Sequence, residues 1–259
     1  MKLNNDTGKK LDGVKLIQHV FDGKEIKIIP FGDWHLGYPT CNLKKIKGTI
    51  DYIKESNSKV ILMGDLMEAG SKHSIAASWI DQEMTPQTQL ETLEELLAPI
   101  KDQILVIFEG NHEFRIYQET GIKVAKILAR NLGVPYGGYS CFIRIKVGKY
   151  SYMIYAQHGN TSSRYPHTKM AACIRTSQHT EANIFLYAHT HELADLATIY
   201  RYYDSKAKII KQKKRYFILT GHFLEYYGSY AERKDYNPGK TGVAKIKLFG
   251  DRWDIHVST

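Results

Sequence analysis

Five short blocks of this sequence place metal-binding or proton-moving side chains directly after a run of apolar residues. Residues 26–31 lead into Gly32-Asp33-Trp34-His35, and residues 60–63 into Gly64-Asp65. Residues 104–108 lead into Glu109-Gly110-Asn111-His112-Glu113, residues 150–156 into Gln157-His158-Gly159, and residues 184–188 into His189-Thr190-His191. Of the 11 histidines, His35, His112, His158, His189 and His191 all fall in these blocks. Asp33, Asp65, Asn111, His35, His158, His189 and His191 form a set of oxygen and imidazole donors without a thiolate, which suits Mn, Fe or Zn better than Ca or a sulfur-bound metal. The set is too large for one tetrahedral ion and matches two ions that share a carboxylate, with water completing the shells. Asp33 with His35, and His189 with His191, are i, i+2 pairs, so on an extended strand end both members are expected on one face. Such a pair serves one ion or two adjacent ones. Glycines at 32, 64, 110 and 159 allow sharp turns and close backbone approach beside the donors.

For the blocks to meet, the apolar runs must be strands whose C-terminal ends share an edge, as in open α/β sheets. The stretches between them supply the helices. Leu43, Ile46, Ile50 and Ile53 recur at helical spacing, as do Leu90, Leu93, Leu96, Leu97 and Ile100. Val124, Ile127, Leu128 and Leu132 form a third stripe, stopped by Gly133 and Pro135. All three stripes read as core packing. Later, strand-like runs flank Gly148-Lys149 and Gly250-Asp251, two turns of the hairpin type. The expected fold class is therefore α/β, with parallel βαβ units first and antiparallel hairpins later, in a single domain over 1–259. Residues 201–215 are expected as an exposed loop or hairpin tip.

Composition bounds the function. The chain has 259 residues, 43% of them hydrophobic and 24% charged, which excludes wholesale disorder. Cys41, Cys141 and Cys173 are too few and too scattered for a disulfide framework or a CxxC zinc site. The polar first residues are no signal peptide, and no apolar run approaches the roughly 18 residues of a membrane span, so a soluble intracellular protein with no membrane partner is expected. The formal net charge of +9 suggests anionic partners. Lys206, Lys208, Lys211, Lys213, Lys214 and Arg215 lie beside Tyr200, Tyr202, Tyr203 and Tyr216, a pairing suited to a phosphate backbone and stacked bases. Tyr226, Tyr227, Tyr230 and Tyr236 form a second aromatic group.

The series D-x-H, G-D, G-N-H-E, H-G and H-x-H resembles the calcineurin-like metallophosphoesterase superfamily, over residues 26–192, with hairpins over 193–259 completing the fold. The resemblance implies two mixed β-sheets packed face to face and flanked by helices. It also implies a dinuclear site in which Asp33, His35 and His191 hold one ion, Asn111, His158 and His189 hold the other, and Asp65 bridges them. Two divalent ions are thus expected, Mn²⁺ first, with Fe, Zn or Ni as alternatives. Attack would come from a hydroxide shared by the ions, with His112 as the catalytic residue that protonates the departing oxygen. Two departures stand out. Ala188 replaces the glycine usual before the last block, a mild change, and Gly64-Asp65-Leu66-Met67-Glu68-Ala69-Gly70 lacks the Asp-Arg of protein Ser/Thr phosphatases, so protein dephosphorylation is less expected. Residues 64–74 and 221–232 are similar to bacteriophage and prophage members, which would place the protein in the cytoplasm, a host's if phage-encoded.

Arg115 and Arg164 follow their blocks closely and are expected to bind the substrate phosphate. His73, His167 and His222 read as structural. The expected substrate is a phosphodiester of a nucleotide or of single- or double-stranded nucleic acid. The alternatives are a phosphomonoester on a small molecule or phosphoprotein, and a non-catalytic scaffold on the same fold.

Overall fold

The computed structural model describes residues 13–71, 74 and 78–259. Its strands and helices follow in the order β1 (Leu16–Phe21), β2 (Glu25–Phe31), α1 (Leu43–Ser56), β3 (Lys59–Leu62), α2 (Ser78–Asp81), α3 (Pro86–Leu97), β4 (Ile104–Phe108), α4 (Asn111–Thr120) and α5 (Val124–Leu132). There follow β5 (Tyr136–Gly138), β6 (Ser140–Val147), β7 (Tyr150–Gln157), α6 (Pro166–Arg175), β8 (Ile184–Tyr187), β9 (Leu193–Asp204), β10 (Ile209–Thr220), α7 (Tyr230–Arg233), β11 (Lys245–Phe249) and β12 (Ile255–Ser258). They pair into two mixed six-stranded sheets, β12-β11-β2-β3-β4-β5 and β1-β6-β7-β8-β10-β9.

The central strands of the first sheet, β2, β3 and β4, are apolar on both sides because both sides are covered. Along β2, Ile28 packs inward against the second sheet while Ile29 packs outward under the helices. Inward-facing Ile61, Val106 and Phe108 meet Ile143, Tyr152, Ile154 and Ile218 of the second sheet, closing a core between the sheets. Outside the first sheet lie Ile46, Ile50 and Ile53 of α1, Leu93 and Leu97 of α3, and Leu128 of α5. Outside the second lies α6, through Ala172 and Cys173. Each such aliphatic side chain contributes roughly 1.5–3 kcal/mol when fully buried. The helix ends are capped locally, and α5 stops at Gly133 as expected. Asn42 caps α1 by accepting from Lys45 N, Thr85 caps α3 ahead of Pro86, and Gly133 ends α5 in the left-handed conformation.

Three features depart from the sequence reading. Parallel and antiparallel strands do not segregate along the chain: N-terminal β1 joins the second sheet in parallel with β6, and C-terminal β11 joins the first. Residues 201–215 are a hairpin tip, as one of the two expectations had it, but mostly strand rather than loop: the outer half of a long β9–β10 hairpin whose turn is confined to about 205–208. Gly148-Lys149 is the expected two-residue turn, with Val147 opposite Tyr150. Gly250-Asp251 is instead part of a longer connection in which Leu248 pairs with Ile255. That loop wraps the buried Tyr152 hydroxyl, which donates to the Phe249 carbonyl (2.6 Å) and accepts from Asp254 N (3.2 Å).

Candidate metal centre

The loops after β2 and β3 are laced together by backbone hydrogen bonds, Asp33 N to Gly64 O (3.0 Å), Trp34 N to Asp65 O (2.8 Å) and Leu36 N to Leu66 O (3.0 Å). Asp33, His35, Asp65, His189 and His191 all have positive φ, between 47° and 66°. This corrects the expectation from alternation: the i, i+2 pairs converge through left-handed turns beyond the strand ends, not on extended strand. Trp34, between Asp33 and His35, turns the other way onto Phe31 in the core (ring centroids 4.4 Å apart). Left-handed non-glycine residues each cost of order 1–3 kcal/mol and persist only where the surroundings fix them. The strain is therefore concentrated on the donors. Gly64 and Gly110 make the tight approach feasible, since a Cβ on Gly64 would lie 2.6 Å from Gly110 N and one on Gly110 would overlap Asp65 Oδ1.

Three groups of side chains bring their donor atoms within 4.8 Å of one another: Asp33, His35 and His191; Asp65, His158 and His189; and His35, Asp65 and His112. Asn111 joins the second group, its Oδ1 3.0 Å from His158 Nε2. The blocks arrive from both sheets, three from the ends of β2, β3 and β4 and two from the ends of β7 and β8. Asp33 ties the sheets together by accepting the backbone N–H of His189 on both carboxylate oxygens (3.0 and 3.2 Å).

Orientation comes from Nδ1. His158 Nδ1 faces the Met63 carbonyl (2.9 Å), His112 Nδ1 the Glu68 carbonyl (2.7 Å), and His191 Nδ1 the Tyr230 hydroxyl (3.3 Å). His35 Nδ1 is 3.0 Å from Glu68 Oε2. With these Nδ1 atoms engaged, Nε2 is the atom left to face the centre, as at histidines that ligate metals. Glu113, the third residue of α4, accepts from Gly110 N (2.9 Å), Asp65 N (3.0 Å) and Leu66 N (2.7 Å), which locks the first turn of the helix to the loop after β3.

Burial opposes the charge on Asp65, but His158, His112 and His35 outweigh it and hold the carboxyl well below its usual range. Burial also opposes protonation of His158, yet Asp65 at 3.2 Å prevails and raises it to about 10. Asp33 is pushed up to about 8 by burial. His189 is pushed down to about 4 by burial and by His158. Asp65 Oδ2 is buried and, although it pairs with His158 by distance, makes no hydrogen bond of adequate geometry. An orphaned carboxylate oxygen ringed by imidazole nitrogens is an arrangement that cations satisfy, and the donors present fit divalent ions.

The centre floors a cavity of about 310 Å³. Arg115 and Arg164 both line it. Arg115 is held by Glu68 (3.6 Å) and lies against the His112 ring, while Arg164 stacks on Tyr236 (5.1 Å). Tyr226, Tyr230 and Tyr236 of the second aromatic group reach the wall, and Tyr227 is 79% exposed. His222, expected as structural, is in the wall as well, stacked on His191 at 5.1 Å. His167 stacks on Tyr165, and His73 lies outside the described residues. The positioning roles of Glu68 and Glu113 are not anticipated by the sequence, and Tyr230, expected only as part of the second aromatic group, turns out to face His191. Glu113 had a signal, a glutamate three residues into a helix behind its cap, whereas nothing in the spacing pointed to Glu68 or Tyr230.

The basic hairpin stands elsewhere. Leu219 pairs with Tyr187 at the site end of the sheet; Arg215 lies four residues further back, roughly 13 Å away, and Ile209 ten residues back, roughly 33 Å away. Several of its cations are engaged locally: Lys211 on Asp204 (2.6 Å), Lys213 over Tyr202 (4.5 Å) and Arg215 over Tyr200 (3.5 Å).

The family model for the calcineurin-like phosphoesterases matches residues 26–258. The chain belongs to that family. The match runs beyond the last donor block through β12, so the C-terminal strands belong to the family fold. The family is one of phosphate-ester hydrolases, and the Asp and His groups accord with divalent metal binding. No curated protein matches the sequence. Among solved structures, one titled "GAP50 the anchor in the inner membrane complex of Plasmodium" matches at 10% identity, covering 88% of this chain and 82% of its own, with a TM-score of 0.34. A likeness of that degree carries no functional argument. Among the described residues no helix is long and apolar enough to cross a membrane.

Proposed function

We propose that this phosphoesterase uses two divalent ions to hydrolyse a phosphodiester of about nucleotide size. The observation that carries the reading is a pair of donor groups meeting at one carboxylate. Asp33, His35 and His191 form one donor group, Asp65, His158 and His189, with Asn111, form a second, and His35 Nε2 lies 4.0 Å from Asp65 Oδ2. Ions held there, Mn²⁺ first and Fe, Zn or Ni as alternatives, supply Lewis acidity to the phosphoryl group and lower the pKa of water. The chain's own residues do the rest. Asp65 is the shared ligand. His112, oriented through Nδ1 by Glu68, donates a proton to the departing oxygen. Arg115 and Arg164 bind the non-bridging oxygens and orient the ester.

A cavity of about 310 Å³ favours a small ester over a polymer. The tyrosine wall and Arg164 leave room for an organic group beside the phosphate, and the tip of the basic hairpin lies too far from the donors to guide a strand into them. The test uses protein loaded with Mn²⁺ and compares bis-nitrophenyl phosphate, nitrophenyl phosphate and single-stranded DNA. Fastest turnover is expected on the diester. Preference for the monoester would transfer the assignment to phosphomonoesters, and two bound ions without hydrolysis of any ester would favour the scaffold.

A further inference from the structure

Strand β9 is 12 residues long and closes the second sheet, and among the described residues nothing pairs with its outer side. Gly221 N donates to Glu192 O (2.9 Å), extending the β9–β10 register by one pair. In an antiparallel ladder hydrogen-bonded and non-hydrogen-bonded pairs alternate, so the even-numbered residues of β9 face β10. Asp195, Ala197, Ile199, Arg201 and Tyr203 therefore turn their N–H and C=O groups outward. Their side chains share one face of the ribbon.

The two faces of the ribbon differ. One carries the engaged set Arg215–Tyr200, Lys213–Tyr202 and Lys211–Asp204. On the other, Ile199, Tyr203 and Ile210 are 60%, 60% and 66% exposed, and Arg201 makes no ion pair among the described residues. A long edge with exposed apolar residues and no proline is a template for another strand.

We propose that β9 pairs antiparallel with β9 of a second copy, about a twofold axis at Thr198, to form a symmetric dimer. The sequence of the edge is complementary to itself in that register. Asp195 stands opposite Arg201 of the second copy, twice by symmetry, and Ala197 stands opposite Ile199. All four residues have outward backbone groups, so the new ladder closes in register. One Asp195 oxygen accepts from Thr259 Oγ1 (3.1 Å), which leaves the other for Arg201. A slip of one ladder step either way sets Asp195 opposite Ile199 or Tyr203 and loses both ion pairs.

The test is sedimentation velocity on the full chain from roughly 1 to 100 µM. It compares the unmodified protein with Asp195→Arg, Arg201→Asp and the double reversal, with thermal melts to verify folding. A concentration-dependent dimer is expected. Each single reversal should weaken it about tenfold or more, and the double reversal should restore it to within about threefold. Residue-resolved hydrogen exchange on the unmodified protein supplies an arm that needs no variant. Amides of Asp195, Ala197, Ile199 and Arg201 should gain protection as concentration rises, while those of Leu196, Thr198 and Tyr200 are protected throughout. A chain that stays monomeric to 100 µM, as it would if the ribbon served a polyanion instead, overturns the proposal. So does a dimer indifferent to both single reversals, or exchange without the odd–even pattern.

Discussion

Glu68 Oε2 lies 3.0 Å from Nδ1 of His35, and the same carboxylate is 3.3 Å from Nδ1 of His112. One side chain from the loop after β3 thus sets the imidazoles of two other blocks. Burial works against its charge, but His112 and His35 hold it down to about 2. Glu68→Gln keeps the shape and removes that charge, so divalent-metal affinity and turnover should each fall by roughly 10–100-fold. Calorimetric metal titration beside an ester assay would show it; unchanged affinity would mean that Glu68 does not orient a ligand.

Metal content should follow Asp65. Elemental analysis of Mn²⁺-loaded protein is expected to give two ions per chain, and Asp65→Asn should lower occupancy and hydrolysis together. Chelation should also lower the melting temperature by several degrees, because ions at about a hundredfold over Kd contribute about 2.7 kcal/mol to the folded state. A full complement of ions in Asp65→Asn would remove the shared-carboxylate arrangement.

His112 is expected to separate chemistry from binding. In His112→Asn both ions should remain while turnover drops by roughly 10²-fold or more on an alkyl ester. The loss should shrink on nitrophenyl esters, whose leaving group hardly needs a proton. Loss of the ions in this variant would make His112 a ligand.

The thiols give a check independent of the site. Burial pushes Cys41, Cys141 and Cys173 each up to about 12, so at pH 8 only about one part in 10⁴ of each is thiolate. Iodoacetamide at pH 8 should leave the folded protein unmodified for hours and alkylate three cysteines per chain in guanidinium. Reactivity should rise with pH toward 12. Rapid labelling of Cys41, the least buried of the three, would show that its loop opens.

Much of the site could be read in the chain because each donor block directly follows a buried strand. A buried strand is a short apolar run, and the polar residue that ends it marks where the sheet meets solvent. The helices over 43–56, 86–97 and 124–132 were legible for a similar local reason, since their apolar residues recur within a few positions of one another. By contrast, the alternating residues of β1 carry no sign that they pair in parallel with β6, more than 120 positions away. The Tyr230 hydroxyl meets His191 across 39 positions with no periodic signal.

Residue identity and short-range periodicity were enough to set the donor types, their order, the strands that deliver them and the family that shares them. The packed fold, by contrast, settled which blocks come from which of the two facing sheets, and that left-handed turns rather than strand alternation aim Asp33, His35, His189 and His191. It alone placed Glu68 behind two histidines and the basic hairpin at the far end of the sheet. Those outcomes rest on long-range strand pairing and on the packing of the two sheets across a common core, energies that no local stretch of sequence carries.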